Sequence, residues 1–171
     1  GLRCVGWGIE SVNPRISKLM NKNIDLDNCL KILRNSDKAG IWNTVYIIIG
    51  FPTETKAEAY DNISFLKNNR DIIHSVCMSE FGLMEYSDIY NNYRKYGIKD
   101  INKELNFDIT TKYSIDTGMT KDEIKILHKE FNASRKLFYE GFIHNCSYSH
   151  FAQYLLKYSL KDIKQMYNLL Q

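Results

Sequence analysis

The segment Trp42-Asn-Thr-Val-Tyr-Ile-Ile-Ile49 decides how the rest of the sequence is interpreted. It is rich in aromatic and β-branched side chains, and its polar and apolar positions do not alternate. Such a segment is typical of a strand that is buried on both faces, as in a parallel sheet covered by helices. We therefore predict a central parallel strand here, with helices on either side of it along the chain.

The residues before this strand predict another strand and two helices. Residues 2–9 form a short apolar run that indicates a buried strand. Asn13 and Pro14 suit the N-cap and first position of a short helix. A longer helix begins near Asp25 and ends at Ala39-Gly40, because Gly readily adopts the left-handed conformation of a helix end.

The residues after the central strand repeat the same pattern. Thr55 can cap a helix that carries Ala59, Ile63 and Leu66 on one side, and residues 72–78 predict a third strand. A capped segment begins at Ser87. Strands that alternate with helices in this way favour right-handed crossovers and a parallel sheet.

The second part of the chain has a different pattern. Residues 97–106 are polar and predict a surface loop, and Thr120-Lys-Asp-Glu123 is a capping box that opens a helix. Two further helices are predicted over residues 148–158 and 160–170. We therefore divide the chain into an α/β part, residues 1–98, and a helical tail, residues 99–171.

Composition excludes several classes of protein. The chain is 44% hydrophobic and 25% charged, which is too apolar for a disordered protein. Its longest apolar run, residues 45–49, is far shorter than the roughly 20 residues of a membrane span. The net charge is only +3 and the lysines are scattered, so the sequence shows no clear nucleic-acid-binding face. Four dispersed cysteines indicate reduced thiols and a cytoplasmic location.

Ligands of parallel sheets bind beyond the carboxyl ends of the strands, and three polar corners fall there. They are residues 8–11, 50–54 and 81–83. In the first corner a carboxylate and a hydroxyl, from Glu10 and Ser11, suit a diol. Gly50 has no side chain, so the ring of a ligand can approach the backbone there. Glu54 has two equally good interpretations: a negative charge that interacts favourably with the start of a helix, or a ligand contact.

Other chemistries have less support in the sequence. It contains neither a Gly-rich phosphate loop nor a nucleophile elbow. His144, Cys146 and His150 lie near one another without a fourth zinc ligand, so we predict no metal site.

Three motifs in order resemble radical S-adenosylmethionine (SAM) enzymes. Residues 8–11 followed by residues 14–22 resemble the fourth strand and following helix of that superfamily. Ile49-Gly-Phe-Pro-Thr-Glu-Thr55 is similar to its fifth-strand G-F-P-x-E-T turn. Glu85-Tyr-Ser-Asp-Ile-Tyr90 is similar to the P-G-S-P-I-Y segment after the sixth strand. The resemblance is to the group that includes cobalamin-binding, elongator-protein-like and biotin-synthase-like members.

This resemblance implies a fold and an activity. Residues 1–98 would be strands four to six of a parallel β/α barrel, a partial TIM barrel, followed by the helical tail. The superfamily's C-x-x-x-C-x-x-C motif, which binds a [4Fe-4S] cluster, is absent from the sequence. We therefore expect a fragment that contributes SAM contacts and a substrate-side wall to 5′-deoxyadenosyl radical chemistry without catalysing it alone. The missing N-terminal half would bind the cluster, and cobalamin is a further cofactor of the group.

The resemblance also implies roles for individual residues, although it assigns no catalytic group. Glu10 and Ser11 match the position that binds the SAM ribose. Lys22 matches a basic position that pairs with the methionyl carboxylate, and a solvated surface lysine explains it equally well. The expected adenine-binding residues are Ile48, Gly50, Phe81 and Leu83.

Two expectations about partners complete the interpretation. If residues 2–9 form a strand that has lost one neighbour, its free edge favours pairing with a second copy of the chain. Besides that copy, the expected partners are the N-terminal half and an unknown substrate. The alternative hypothesis is a self-contained α/β binding or interaction module that never held a cluster.

Overall fold

The parallel sheet predicted around the central strand is present in the computed structural model, which describes residues 1–102, 109–134, 138 and 148–169. Its strands are β1 (Cys4–Glu10), β2 (Trp42–Ile49) and β3 (Ser75–Glu80), in the order β1-β2-β3. Both pairings are parallel. The α/β class and the central place of β2 are therefore confirmed.

Three helices connect these strands, and their ends follow the predicted capping signals. They are α1 (Pro14–Leu19), α2 (Leu26–Lys38) and α3 (Lys56–Asn68). The Asn13 side chain accepts hydrogen bonds from the first turn of α1, and Asp25 does the same for α2. Thr55 and Glu58 form a reciprocal capping box at the start of α3. Local capping groups thus set the boundaries of all three helices.

Among the described residues beyond β3 there are four helices, a 3₁₀ turn and two short strands. In chain order these elements are α4 (Asp88–Asn91), the 3₁₀ turn (Tyr93–Tyr96), β4 (Ile98–Ile101), β5 (Tyr113–Ile115), α5 (Lys121–Ser134), α6 (Tyr148–Lys157) and α7 (Leu160–Asn168). β4 and β5 pair antiparallel and form a sheet of their own.

The prediction of a partial β/α barrel followed by a helical tail is wrong. The described residues form an open three-stranded parallel sheet and a separate two-stranded antiparallel sheet. A barrel requires a closing, staggered set of tilted strands. Here the alternation of strands and helices ends at β3, and the chain turns into an antiparallel pair, so the parallel sheet stays open.

Two element predictions also need correction. The segment 97–106 was predicted to be a surface loop, but β4 occupies its first part, and residues 103–106 lie outside the described residues. The third strand begins at Ser75 rather than residue 72. Ile72 and Ile73 are buried in the turn before it, where their backbone N–H groups donate to Asn69 O. Their apolar character therefore indicates burial in a turn rather than strand structure.

One face of the parallel sheet carries the main hydrophobic core. The side chains of Val45, Ile47 and Ile49 are fully buried there with residues from α2 and α3. The α5 helix joins the same core through Ile124 and its neighbours along one stripe. This arrangement covers one face of the sheet with helices. The prediction that β2 is buried on both faces is wrong for its second face, where Tyr46 is 43% exposed and Thr44 and Ile48 are half-buried.

A smaller core closes the amino end of the sheet. Trp42, at the start of β2, is buried against Leu155 in α6 and against Leu160 and Ile163 in α7. Arg3 strengthens this contact, because its guanidinium donates to the backbone oxygens of Leu155 (3.1 Å) and Tyr158 (2.7 Å). Among the helices of the described ranges, none has both the length and the apolar character needed to cross a membrane.

Candidate functional site

The second face of the parallel sheet carries small side chains and one tyrosine. In a parallel sheet, paired residues of neighbouring strands project to the same face. The pairs here are Gly6 with Thr44, Gly8 with Tyr46, and Tyr46 with Cys77. The 2.7 Å contact between the hydroxyls of Thr44 and Ser75 confirms the common side. We define the open face as the part of this face that lies beyond Trp42 and Thr44 along the strands: Gly6, Gly8, Tyr46, Ile48, Cys77 and Ser79.

The open face is accessible along most of its area. Tyr46 is 43% exposed, and Gly6, Gly8, Cys77 and Ser79 are also exposed. None of the elements described above packs over its middle. Parallel sheets are normally covered on both faces, so this surface is suited to contact with a ligand or another polypeptide.

Tyr46 lies across β1 rather than projecting straight into solvent. A Cβ atom added to Gly6 would fall 2.6 Å from Tyr46 Cε2, closer than any real side chain tolerates. The ring therefore occupies the space that a side chain at position 6 would need. The glycine thus leaves room for the edge of the tyrosine ring over β1, while 43% of the residue stays exposed.

Glu10 and Lys22 form an ion pair at the carboxyl end of the same face. Lys22 Nζ lies 3.4 Å from Glu10 Oε1. A Cβ atom on Gly8 would fall 2.9 Å from Glu10 Oε1 and 3.9 Å from Lys22 Nζ, so the pair lies directly over this glycine. Glu10 has a left-handed backbone with φ of 61°, and the β1–β2 register shifts between Gly8 and Glu10. The turn of the chain at this point directs the carboxylate over the open face.

Ser11 lies beside Glu10 in the sequence but has a different environment. It is fully buried, its N–H donates to Ile9 O at 2.7 Å, and its Oγ accepts from the Asn13 N–H at 3.3 Å. These bonds fix the turn between β1 and α1. The structure therefore places Ser11 as a residue that positions Glu10.

Gly50, at the end of β2, is covered by α5. Its φ is +74°, and a Cβ atom there would fall 2.5 Å from Ile124 Cδ1. The backbone N–H of Gly50 donates to Glu54 Oε2 at 2.6 Å. The Ile124 side chain thus occupies the space over Gly50 in which a ligand ring was expected.

Glu54 is a fully buried acid whose second oxygen has no partner among the described residues. Burial raises its pKa from 4.5 to about 7, against the opposing effect of the hydrogen bonds from the backbone of Gly50 and Phe51. The Oε2 atom ties the carboxylate to the turn after β2. The helix-start interpretation of Glu54 is therefore incomplete, because the side chain also holds this turn.

Phe81 and Leu83 lie under the antiparallel sheet. The Phe81 ring contacts Phe51 and Tyr113 edge-on, with ring centroids 5.0 and 5.8 Å away. Leu83 is fully buried, and its backbone oxygen accepts from the Thr111 N–H at 2.7 Å. A cavity of about 180 Å³ between these residues and Ile124 separates this group from α5.

Six of the seven predicted site residues fall into two groups, and the seventh, Ser11, is buried in the turn after β1. Glu10 and Lys22 meet over Gly8 on the open face, which also includes the half-buried Ile48. Gly50 and Leu83 are buried, and the half-buried Phe81 lies with Leu83 along the cavity that faces α5 and β5. Within the described ranges no three potential metal ligands come together, and Cys4, Cys29 and Cys77 are free thiols. Cys146, His144 and the side chain of His150 lie outside what the structure describes.

The sequence interpretation missed Gly6, Tyr46 and Cys77. A usable signal was the spacing Gly6-Trp-Gly8, because alternate glycines in a strand remove side chains from one face only. Tyr46 was treated as a buried strand residue, and nothing local distinguishes an exposed tyrosine from a buried one in such a run.

No protein-family model matches the chain. It is similar to an uncharacterized methyltransferase of Pyrococcus horikoshii, with 36% identity over 67 residues, 39% of this chain and 15% of that protein. It is also similar to an uncharacterized protein of Methanocaldococcus jannaschii, with 26% identity over 111 residues, 62% of this chain and 22% of the relative. The chain therefore spans less than a quarter of the length of these curated relatives.

Proposed function

We propose that this chain is part of a radical SAM enzyme and that Glu10 and Lys22 contact SAM at the open face. The observation that carries the proposal is the Glu10–Lys22 pair over Gly8, where a carboxylate and an ammonium meet above exposed backbone at the end of a parallel strand. The three ordered sequence motifs and the methyltransferase name of one relative support SAM as the ligand.

The chemistry of this pair suits the polar parts of SAM. A glutamate accepts hydrogen bonds from a ribose diol, and a lysine pairs with a carboxylate. The Lys22 side chain is 44% exposed and that of Glu10 is 17% exposed, so a ligand reaches both. SAM, when bound, supplies the reactive carbon of the reaction. The role of this chain is to bind and orient that molecule through Glu10, Lys22 and Ile48.

The described residues do not fit an iron–sulfur cluster, because no group of three cysteine or other ligand side chains converges. In this proposal a [4Fe-4S] cluster therefore belongs to another part of a longer protein, and this chain contributes SAM contacts and a wall on the substrate side. The expected partner is the polypeptide that would complete the enzyme. No step of the reaction is assigned to residues of this chain.

The test is a SAM titration of the 171-residue chain followed by isothermal calorimetry, with the variants Lys22→Ala and Glu10→Gln. Each should weaken binding about 5- to 150-fold, the usual loss for one charged hydrogen bond. Lys18→Ala is the matched control, since it removes an exposed lysine from the adjacent helix α1 and should leave affinity unchanged.

Equal affinity for the wild-type chain and Lys22→Ala would identify Lys22 as a surface charge and remove the main support for the proposal. Absence of SAM binding to the wild-type chain would favour the alternative, an α/β binding module of different specificity.

A further inference from the structure

We propose that Glu54 controls how the end of β2 is covered. Residues 117–124, which we call the cover segment, lie closed over Gly50 while the Glu54 carboxyl group is protonated, and they open when it ionises. This role goes beyond the proposed function, because it concerns access to the carboxyl end of the sheet and not what binds there. Neither the sequence motifs nor the relatives assign it.

The cover segment is attached to the turn after β2 by few contacts. The Met119 N–H donates to Glu54 O at 3.0 Å, and Thr117 O accepts from the Thr53 N–H at 3.3 Å. The buried side chains of Met119 and Ile124 join the main core at this point. Two backbone hydrogen bonds and two apolar side chains thus keep the segment in place, and so small a unit can open without unfolding of the whole chain.

The carboxyl group of Glu54 lies at the same turn and is fully buried. Its Oε2 atom accepts from the Gly50 N–H at 2.6 Å, while Oε1 has no hydrogen-bond partner among the described residues. Burial raises the pKa of Glu54 to about 7, because desolvation disfavours the charged form. Ionisation therefore makes hydration of Oε1 favourable, and water reaches that atom only when a neighbouring segment moves aside.

Two charged side chains act on this carboxyl group from the neighbouring helices. Glu58, in α3, raises the pKa of Glu54, and Arg15, in α1, lowers it. These two also bind each other, since the Arg15 guanidinium donates to both oxygens of Glu58 at 2.6 and 2.7 Å. The charged residues of the cover segment are Lys121 and Asp122, both exposed, and Glu123, which accepts from the Thr120 N–H at 2.8 Å.

The cover segment is the neighbour of Glu54 that moves most easily. On the other side of the turn, Arg15 donates to Thr53 O at 2.9 Å, and the capping box of α3 holds the next residues. The cover segment instead approaches the turn through Gly118, which has φ of +119° and is exposed. A Cβ atom there would fall 3.0 Å from Thr53 N. This glycine both permits the close contact and gives the segment a point at which its backbone can turn.

The test is hydrogen exchange of the 171-residue chain from pH 5.5 to 8.5, measured by mass spectrometry and corrected for the intrinsic pH dependence of amide exchange. The pKa of Glu54 is about 7 in the closed form, and we take it as 4.5 in the open form. Opening of the cover segment should then increase about 30-fold over this range, because opening releases a proton. The amides of β2 should remain protected, which distinguishes local opening from global unfolding.

Glu54→Gln should remove this increase while keeping the protection seen at pH 5.5, since an amide oxygen still accepts from the Gly50 N–H. Asp122→Asn is the matched control, because it neutralises an exposed acid of the cover segment itself. It should retain the increase. His128→Gln, which removes the titratable side chain further along α5, should also retain it. Circular dichroism of each variant shows whether the fold is intact.

Gly118→Ala tests the cover segment without changing Glu54. Its Cβ atom would meet the Thr53 backbone, so the segment should exchange rapidly even at pH 5.5.

An increase that is confined to residues 117–124 and absent from Glu54→Gln would support the inference. The same increase in Glu54→Gln, its loss in His128→Gln, or an equal change in β2 would overturn it. Wild-type protection of Gly118→Ala at pH 5.5 would overturn it as well, and this result does not depend on the folding of the Glu54 variant.

Discussion

Gly40 and Gly50 share a left-handed backbone with φ of +74°, but their surroundings differ. Nothing lies within 4 Å of a Cβ built on Gly40, whereas one built on Gly50 meets Ile124 Cδ1 at 2.5 Å. Alanine at either position has a backbone cost of about 1–2 kcal/mol. At position 50 we expect a further loss of about 1–3 kcal/mol in the free energy of unfolding from overpacking. Urea denaturation measures both losses.

The Gly40→Ala variant is the control for backbone strain, and Ile124→Val tests the contact itself. Removing Cδ1 should reduce the extra cost of Gly50→Ala, which a double-mutant cycle detects. Equal losses in the free energy of unfolding for Gly40→Ala and Gly50→Ala would show that Ile124 adds no steric cost at position 50.

Glu54 should make stability fall as the pH rises from about 4.5 to about 7. Its pKa is raised by burial to about 7 in the folded chain, so the unfolded chain releases the proton first. Stability is lost over that interval and is constant above it, a change on the order of 3 kcal/mol. Glu54→Gln removes this titration while keeping an oxygen that accepts from the Gly50 N–H.

The measurement is the difference in free energy of unfolding between the wild-type chain and Glu54→Gln, from pH 4.5 to 8. Titrations common to both cancel, including that of His74, whose pKa burial lowers. Glu123→Gln, at an exposed helix start where the Thr120 backbone lowers the pKa of the acid, should show no such trend. A flat difference for Glu54→Gln would mean that its carboxylate is charged in the folded chain at pH 5–6.

At the scale of elements, Lys164 links α7 to α2 and to the turn before β3, in addition to the packing of Leu160 and Ile163 against Trp42. Lys164 donates to Asp37 at the end of α2 and, at 2.9 Å, to Asp71 O before β3. His74 faces the same carboxylate at 3.0 Å, while its Nδ1 accepts from the Asn43 N–H at 2.7 Å. Burial opposes the effect, but the bonds from His74 and Lys164 lower the pKa of Asp37. The charged aspartate thus joins α2, β3 and α7.

Lys164→Ala should therefore lower the free energy of unfolding by about 1–2 kcal/mol and speed hydrogen exchange across residues 160–168. Lys161→Ala is the matched control, because Lys161 is an exposed lysine on the same helix. The same change in both variants would mean that helix propensity rather than the Asp37 contact is responsible.

Local sequence signals predicted most helices and strands. They did not predict which elements far apart in the chain pack against each other. Asn13, Asp25 and Thr55 set helix starts through hydrogen bonds within three residues, so the sequence alone indicates them. Whether Tyr46 is buried or exposed, and whether Ile124 covers Gly50, depends on residues far along the chain. The alternation of strands and helices indicated a parallel sheet, and the barrel was inferred from the resemblance to radical SAM enzymes. β4 and β5 end the alternation with short strands that carry little sequence signal.

The same distinction applies to the candidate site: the sequence predicted contacts between residues close in the chain and missed contacts between distant ones. Glu10 and Lys22 are twelve residues apart with one short helix between them, so their meeting follows from local structure. Gly50, Phe81 and Leu83 were assigned from their place at strand ends and from the resemblance to radical SAM enzymes. Residues 111–124 cover Gly50 and Leu83 and contact the half-buried Phe81, and no short-range pattern in the sequence determines their position.

At the scale of the whole molecule, β1 pairs with β2 on one side and with no other described strand on the other. Beside this edge, a groove of about 330 Å³ runs between β1 and α2, lined by Trp7, Ile24, Cys29 and Ile32. Free strand edges next to apolar surface favour pairing between chains, and a two-fold axis lets the same edge serve both copies. We therefore expect a homodimer through β1 whose population grows with protein concentration.

Sedimentation velocity across the micromolar range tests this expectation, together with hydrogen exchange of residues 3–8, which should slow as the dimer forms. Val5→Lys places a charge beside the edge and should abolish association, since lysine on an edge strand disfavours pairing. Ile126→Lys is the control, because it changes an exposed apolar residue on α5, away from β1. A monomer with rapidly exchanging β1 amides at high concentration would show that the edge stays unpaired. Slow exchange in a monomer would mean instead that another part of the same chain protects it.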